Sequence, residues 1–303
     1  MNNTPSFIDV ENGHQLHINT IGTKDRYPIL FIHGGPGYGF FKEDARFFDL
    51  EKHFVIFYDQ RGCGQSTPYA SVENNTTQDL LNDIDVILNH FQLDEVCLFG
   101  GSWGSTLALL YAMKSPERVR RMVLRGIFSA AHDTIDLFDA TDLPEQIIKA
   151  RKRALDLVPM DQRENPIGYY LHKMRDGIKK EQVKYAFELE LYGAVLNFPT
   201  IPIERLELDI YKRDYFPHAI LLAHYAHNKF FIEDQYIWNN LRLIQDIPID
   251  IIHGSHDQIC PVENAHRLHE EMINSKLHIL EAGHSALDPA INQKLKEVMS
   301  ALG

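Results

Sequence analysis

The chain has 303 residues, and 44% of them are hydrophobic, which is enough to fill a sizeable core. It has 42 acidic residues against 30 lysines and arginines, so its formal net charge is -12. This charge repels nucleic-acid phosphates and acidic membrane surfaces, and the sequence has neither a signal-peptide pattern nor a run of about 18 apolar residues that spans a membrane. We therefore expect a cytoplasmic globular protein that binds neither nucleic acid nor membrane.

The three cysteines, Cys63, Cys97 and Cys260, cannot all pair with one another, and their spacing matches no metal-binding motif. Free thiols are typical of a reducing compartment. The sequence thus predicts free cysteines and no metal site.

The first part of the chain alternates strands and helices. From Phe7 to Gly22 polar and apolar residues alternate around Asn12-Gly13, a dipeptide that tolerates a tight turn, so two antiparallel strands are predicted. Four short apolar runs then read as strands buried on both faces of a parallel sheet. They are Tyr27 to His33, His53 to Tyr58, Glu95 to Phe99 and Arg121 to Ile127. Helical spacing in Gln78 to Phe91 and in Ser105 to Lys114 predicts crossover helices.

From about Ala131 to Ile232 strand patterns are scarce and charged helical segments prevail. The alternation then returns as a strand, a helix, a strand and a C-terminal helix. The first three are Ile247 to His253, Glu263 to Ile273 and Lys276 to Leu280. We predict an α/β core of residues 1–130 and 233–303, with a mostly parallel sheet flanked by helices, and a helical cap, residues 131–232, inserted in that core.

The segment Gly100-Gly101-Ser102-Trp103-Gly104 lies between a predicted strand and a predicted helix. Gly-x-Ser-x-Gly in this context is typical of a nucleophile elbow, a sharp turn that presents the serine hydroxyl at a helix N-terminus. The alternative is a plain glycine-rich turn. We predict that Ser102 is a catalytic nucleophile.

A serine nucleophile that attacks a carbonyl needs N–H donors for the oxyanion, each worth about 3 kcal/mol in the transition state. One is expected from Trp103, the residue after the nucleophile. The other is expected from the loop His33-Gly34-Gly35-Pro36-Gly37, which follows the first parallel strand. Gly35 is the predicted donor because a glycine lets a carbonyl approach its backbone closely, and Gly34 is expected to line the substrate site.

The general base must be a histidine that a carboxylate orients, and in this fold it comes last in the chain, after the serine and the acid. Of the 16 histidines, His284 lies in a loop directly after the last predicted strand, whereas His253 and His278 lie in strands and read as packed core residues. His284 is the predicted base.

The acid is predicted to be Asp257, which follows the strand Ile247 to His253 at its carboxyl end, where functional loops gather. Glu263 is the alternative, although its position at the start of a helix also suits compensation of the helix dipole. Together these motifs predict a cofactor-free serine hydrolase of the α/β-hydrolase fold.

These motifs resemble the prolyl aminopeptidase (proline iminopeptidase) family of α/β-hydrolases over roughly the core two-thirds of the chain. The matching segments are His33-Gly34-Gly35-Pro36-Gly37, Asp59-Gln60-Arg61-Gly62-Cys63-Gly64-Gln65-Ser66, Asn75 to Asp83, Gly100 to Leu109, Ser115 to Val119, Leu124 to Phe128, His224-Tyr225 and His253 to Asp257. The resemblance implies removal of an N-terminal proline from short peptides through an acyl-enzyme, without metal or cofactor. The Asp59 to Ser66 segment is expected to pin a loop near the oxyanion loop.

The resemblance also implies that acidic cap residues bind the substrate's free amino group. Glu190 is the expected counterpart of the first acid, with Glu188 the alternative if the register shifts, and the tryptophans that flank this acid in the family are missing. The second acid should fall at Leu222, and leucine cannot pair with an ammonium.

Two further functions compete with the aminopeptidase. The first is an esterase or amidase of the same fold that acts on small neutral acyl groups, as Leu222 suggests. The second is a catalytically inactive hydrolase that serves as a ligand receptor, and the complete set of catalytic residues argues against it.

Overall fold

The structure is a computed structural model that describes residues 6–131 and 144–303. Its strands are β1 (Ser6–Asp9), β2 (Gln15–Ile21), β3 (Tyr27–Ile32), β4 (His53–Tyr58), β5 (Val96–Ser102), β6 (Val119–Ile127), β7 (Ile249–Gly254) and β8 (Ser275–Leu280). The described residues thus form one eight-stranded sheet in the order β1-β2-β4-β3-β5-β6-β7-β8. β1 and β4 both pair antiparallel with β2, and every later pair is parallel.

The helices are α1 (Thr77–His90), α2 (Trp103–Lys114), α3 (Glu145–Leu155), α4 (Pro166–Asp176), α5 (Lys179–Asn197), α6 (Ile203–Ile210), α7 (Phe216–His227), α8 (Tyr236–Asn240), α9 (Val262–Glu271) and α10 (Pro289–Ser300). Within residues 6–131 and 144–303, none of them combines the length and apolar character needed to cross a membrane.

The strands β3 and β4 carry apolar residues on both sides because both faces of the sheet are covered. In β3, Leu30 and Ile32 belong to the apolar cluster on the face that α1, α2 and α9 cover. The alternate residues Ile29 and Phe31 belong to the cluster on the opposite face, which α10 covers. The predicted α/β core with its mostly parallel sheet is confirmed.

The N-terminal hairpin forms as the sequence predicts. Its turn contains Asn12 and Gly13 at φ 62° and 76°, the left-handed region that this dipeptide tolerates. Two predicted boundaries are wrong: β5 runs on to Ser102 instead of ending at Phe99, and α2 begins at Trp103. The reason is that Gly100 and Gly101 remain paired with β6, so the strand passes directly into the helix at the serine.

Between β6 and β7 the described residues contain α3 to α8 and no strand. Helices α3 to α7 share an apolar cluster of their own, which Cys63 from the loop after β4 joins. The predicted cap boundary at residue 131 adjoins residues 132–143, which lie outside the described residues, so the limits of the cap stay a prediction.

Candidate active site

Ser102 stands at the junction of β5 and α2 with φ 56° and ψ -126°, a conformation that non-glycine residues rarely adopt. Such strain costs of the order of 1–3 kcal/mol and persists only where the surroundings enforce it. The turn leaves the serine partly exposed above the carboxyl edge of the sheet. Its carbonyl oxygen accepts a hydrogen bond from Ser105 Oγ at 2.7 Å, which fixes the first turn of α2.

The glycines on either side of Ser102 are required by close backbone approach. A Cβ on Gly104 would lie 2.1 Å from the carbonyl oxygen of Ile32, and a Cβ on Gly100 would lie 2.3 Å from that of Gly104. No side chain fits at such distances. The Gly-x-Ser-x-Gly pattern therefore allows α2 to start tightly against β3.

Asp257 and His284 lie in the loops after β7 and β8, and the Nδ1–H of His284 donates to Asp257 Oδ2 at 2.7 Å. This bond leaves Nε2 of His284 as the acceptor nitrogen. Asp257 Oδ1 accepts from the backbone N–H groups of Ile259 and Cys260 at 2.9 and 2.8 Å. Burial opposes ionisation of Asp257, but His284 and these N–H donors outweigh it and lower its pKa below the usual value.

His253 is a buried neighbour of Asp257. Its Nδ1 accepts from the N–H of Ile127 at 3.1 Å, so its Nε2–H faces the Cys260 carbonyl at 2.9 Å and Asp257 Oδ2 at 3.4 Å. The residue is fully buried, and burial lowers its pKa. A neutral, hydrogen-bonded core histidine is what its place in a strand predicts.

Cys260 lies beside the Asp257–His284 pair, with its Sγ within 4.8 Å of the nearest polar atoms of both residues. Ser102 is paired with Ile127 across β5 and β6, directly next to Gly126. The His284 imidazole also lies against Gly126, where a Cβ would be 3.2 Å from its Cε1. The structure thus brings Ser102, Asp257 and His284 to one place.

The predicted oxyanion loop follows β3 and lies against the nucleophile. A Cβ on Gly34 would be 3.5 Å from the Cβ of Ser102. Gly35 has φ +120°, open only to glycine in practice, and Trp103 is the first residue of α2, where backbone N–H groups lack helical partners. Trp103 therefore directly follows Ser102, and Gly35 directly follows Gly34, the glycine that lies against the serine.

Gln60 holds this loop and the elbow together. Its Nε2 donates to the His33 carbonyl at 2.9 Å, its backbone N–H donates to His33 Nε2 at 3.0 Å, and its Oε1 accepts from the Trp103 indole at 3.1 Å. The contact agrees with the predicted pinning role of the Asp59 to Ser66 segment. No local sequence pattern indicates that the link runs through the Gln60 amide.

Arg125 is a site residue that the sequence analysis missed. From β6 its Nη1 donates to the His284 carbonyl oxygen, and its guanidinium lies against Gly101. It thereby ties the histidine loop to the strand that bears the nucleophile. Its only sequence signal was its position near the carboxyl end of a parallel strand.

The two candidate cap acids on α5 have different surroundings. Glu188 pairs with Arg153 at 2.7 Å, and this arginine also pairs with Glu207 at 2.6 Å. Glu190 is 3% exposed, and its two oxygens contact Arg213 Nη2 at 2.7 Å and His218 Nδ1 at 2.6 Å. Burial raises the pKa of Glu190, but His218 and Arg213 together lower it below its usual value, so Glu190 is ionised.

Leu222 is half-buried on α7, one helical turn after His218. Residues four apart share a helix face. Leu222 therefore lies on the same face of α7 as the histidine that contacts Glu190.

Among the residues that the structure describes, the fold brings together two groups of possible metal ligands, although the sequence shows no metal-ligand spacing. They are His33, Asp59 and Cys63, and Asp257, Cys260 and His284, with ligand atoms within 4.8 Å in each group. Burial raises the pKa of both Cys63 and Cys260 well above the usual range, whereas a metal-ligating cysteine is a thiolate. The carboxylates and imidazoles of both groups already have hydrogen-bond partners within the protein.

Comparison with known proteins first defines the class. A family model described as the alpha/beta hydrolase fold matches residues 27–290. Esterases from Exiguobacterium antarcticum and Thermogutta terrifontis share the fold, with TM-scores of 0.62 and 0.61 at 20% identity. These alignments cover 98% of this chain and 98% and 97% of the two esterases. The protein is an α/β-hydrolase.

Curated relatives define the family within this class. The proline iminopeptidase of Arabidopsis thaliana is 36% identical over 97% of this chain and 79% of its own length. That of Neisseria meningitidis serogroup A is 33% identical over 97% of this chain and 94% of its own length. The chain belongs to the proline iminopeptidase (prolyl aminopeptidase) family. The predicted family and hydrolase class are confirmed.

Replacing Ser102 with alanine should abolish labelling by a fluorophosphonate and lower kcat by about 10⁴-fold, because residual rate then comes from binding and the oxyanion hole alone. Gel-based labelling and steady-state kinetics measure both. Ser255→Ala, at an exposed serine after β7, is the matched control and should keep both properties. Persistent labelling of Ser102→Ala would mean that another serine is the nucleophile.

Asp257→Asn should lower kcat by about 10⁴-fold with the fold intact, because the amide no longer fixes the His284 tautomer. Because a general base must be unprotonated, the wild-type rate should fall on the acid side, while the lowered pKa of Asp257 keeps that carboxylate ionised. Kinetics over a pH series and circular dichroism test this. Glu263→Gln, in the exposed first turn of α9, is the control. A damaging Glu263→Gln beside a mild Asp257→Asn reverses the assignment.

Activity should be unchanged after dialysis against EDTA, because protein hydrogen bonds already occupy the buried ligand groups. The rate before and after chelation, with metal content by mass spectrometry, measures this. Loss of activity that zinc restores would show that one of the two groups holds a metal.

Proposed function

We propose that this protein is a cofactor-free serine aminopeptidase that releases N-terminal proline, or another small residue, from short peptides. The observation that supports this most directly is the 36% identity to a proline iminopeptidase over 97% of the chain. The hydrogen bond between Asp257 and His284 beside a strained Ser102 supplies the chemistry that such an activity needs.

In the proposed acylation step, His284 Nε2 accepts the proton of the Ser102 hydroxyl as its Oγ attacks the scissile carbonyl carbon. The backbone N–H groups of Gly35 and Trp103 hold the oxyanion of the tetrahedral intermediate. His284 then gives its proton to the leaving amine, and the carbon–nitrogen bond breaks. Asp257 stays ionised throughout and stabilises the imidazolium.

In the proposed deacylation step, water takes the place of the departed peptide. His284 accepts a proton from this water as its oxygen attacks the acyl-enzyme carbonyl, and the same two N–H groups hold the second oxyanion. Collapse returns the proton to Ser102 Oγ and releases the amino acid. No metal or redox group takes part in either step.

We further propose that the helices after residue 131 form the cap over this site and that Glu190 meets the substrate's ammonium, with Gly34 and Leu222 lining the pocket. A charge-assisted contact of this kind is worth about 1.5–3 kcal/mol. Glu190 is better suited than Glu188, because its partner His218 lies against Gly35 of the predicted oxyanion loop and stacks on Tyr38.

The second candidate function is an esterase or amidase for small neutral acyl groups. Leu222 favours it, since this residue supplies an apolar surface where the family has a carboxylate. The esterase fold neighbours are only 20% identical, so they show the fold alone.

The proposed location is the cytoplasm. Cys63, Cys97 and Cys260 are all buried free thiols, a state that a reducing compartment maintains. The proposed partners are small peptides, or small esters and amides on the second candidate function.

Wild-type enzyme should hydrolyse L-proline p-nitroanilide at least about tenfold better in kcat/KM than the anilide of cyclopentanecarboxylic acid, a neutral isostere, because only proline pairs with Glu190. Glu190→Gln should remove most of this preference by raising KM for proline, and leave a neutral aryl ester nearly unaffected. Leu222→Glu should strengthen the preference.

The matched control for this comparison is Glu188→Gln, two residues away on α5, which should keep the wild-type ratio. Equal effects of Glu190→Gln on the charged and neutral substrates would assign Glu190 to packing. A wild-type preference for the neutral anilide would establish the second candidate function instead.

A further inference from the structure

Arg213 and His218 each contact one oxygen of the Glu190 carboxylate. Arg213 Nη2 donates to Glu190 Oε1 at 2.7 Å, while the Nδ1–H of His218 donates to Oε2 at 2.6 Å. The Glu190 side chain is only 2% exposed, so these two partners and the surrounding helices enclose it. A buried carboxylate requires such partners.

This cluster of Glu190, Arg213 and His218 borders the predicted oxyanion loop directly. The His218 ring stacks on Tyr38 of that loop with centroids 4.0 Å apart, and the Arg213 guanidinium lies 5.8 Å from the centre of the Tyr38 ring. A Cβ on Gly35 would lie 3.4 Å from His218 Cδ2. The cluster is therefore next to the position that the first residue of a peptide occupies when its carbonyl reaches Ser102.

The two partners of Glu190 are not equally replaceable. The His218 side chain is 12% exposed and its ring lies between Glu190 and Tyr38, so it is held on both sides. The Arg213 side chain is 37% exposed and belongs to the connection between α6 and α7. A guanidinium that leaves Glu190 from there regains hydration at little cost.

We propose that Arg213 is a specificity-determining residue, an internal cation that a substrate's ammonium displaces from Glu190. A charged amine replaces the guanidinium one for one, so Glu190 stays paired throughout binding. A neutral acyl group makes no such exchange, and Arg213 then keeps Glu190 paired and the pocket electrically balanced. The proposal rests on the proposed function, since it names the group with which the amino terminus competes.

This competition lowers the affinity for the amine, because the charge-assisted hydrogen bond between Arg213 and Glu190 must break before the ammonium can bind Glu190. Arg213 therefore sets how strongly the enzyme distinguishes a free amino terminus from a neutral acyl group. Leu222 acts in the same direction, since it adds no second carboxylate to the pocket.

Inhibition of aryl ester hydrolysis tests this without any need for peptidase turnover. L-Prolinol carries the ammonium but no scissile carbonyl, and cyclopentylmethanol is its neutral isostere. Arg213→Gln should lower the Ki of prolinol by about tenfold, because the ammonium no longer competes with the guanidinium, and leave the Ki of cyclopentylmethanol unchanged. Arg153→Gln, at the matched arginine that pairs with Glu188, should change neither.

A double-mutant cycle separates competition from general packing. In the Glu190→Gln background, where no carboxylate is left to share, Arg213→Gln should no longer affect the Ki of prolinol. Arg213→Lys, which keeps the cation but loses the planar guanidinium, should lower that Ki by about threefold and serves if Arg213→Gln does not fold.

The proposal is contradicted if the Ki of prolinol is unchanged or higher in Arg213→Gln, or in Arg213→Lys if only that variant folds. An unchanged Ki would place Arg213 outside the site, and a higher Ki would mean that Arg213 orients Glu190 for the amine. These outcomes are separable from failure of the proposed function. If wild-type enzyme hydrolyses no proline anilide and Arg213→Gln still tightens prolinol binding, the competition stands and the aminopeptidase activity does not.

Discussion

The strained backbone of Ser102 is the constraint on which the rest of the site depends. At φ 56° the serine hydroxyl projects out of the sheet. The chain can turn there only because Gly104, which lies against the Ile32 carbonyl, has no side chain. The strain is of the order of 1–3 kcal/mol. Pairing of β5 with both β3 and β6, together with the buried first turn of α2, holds it in place.

The other site residues are fixed relative to this turn by buried hydrogen bonds. Gln60 joins the oxyanion loop to the Trp103 indole, and Arg125 joins the His284 loop to the strand beside the elbow. Gln60 lies two residues after the end of β4 and Arg125 lies in β6, so both links attach the site loops to the same sheet. Preorganised N–H donors and a preoriented imidazole are the arrangement that lowers the barrier for acyl transfer.

The sequence predicts most of the fold, because strand burial and helical spacing are local patterns. The positions of Ser102, His284 and Asp257 could also be predicted, since each lies at or just after the carboxyl end of a parallel strand, and these ends meet at one edge of a sheet. The contacts of Arg213, His218 and Tyr38 could not be predicted, because they join separate segments of the chain and no local pattern signals them. The choice between Glu188 and Glu190 required the three-dimensional position of the helix. Residues two apart on an α-helix are rotated by about 200°, so these two side chains face nearly opposite sides.

We propose that selectivity in this chain depends on how the buried carboxylate of Glu190 is shared. Leu222 stands where the family resemblance implies a second acid, and Arg213 pairs with Glu190. The proposed catalytic steps require neither feature. On this proposal the same three residues serve an aminopeptidase or an esterase, and the charge at Glu190 decides between the two substrates.

We propose that Ser102 forms the acyl-enzyme, and the buried thiol of Cys260, close to Asp257 and His284, is a rival nucleophile. Acid quenching during turnover of a slowly deacylated aryl ester, followed by peptide mapping with mass spectrometry, locates the acyl group. We predict one acyl group per chain, on the peptide that contains Ser102. An acyl group on Cys260 or on another residue would contradict the serine mechanism.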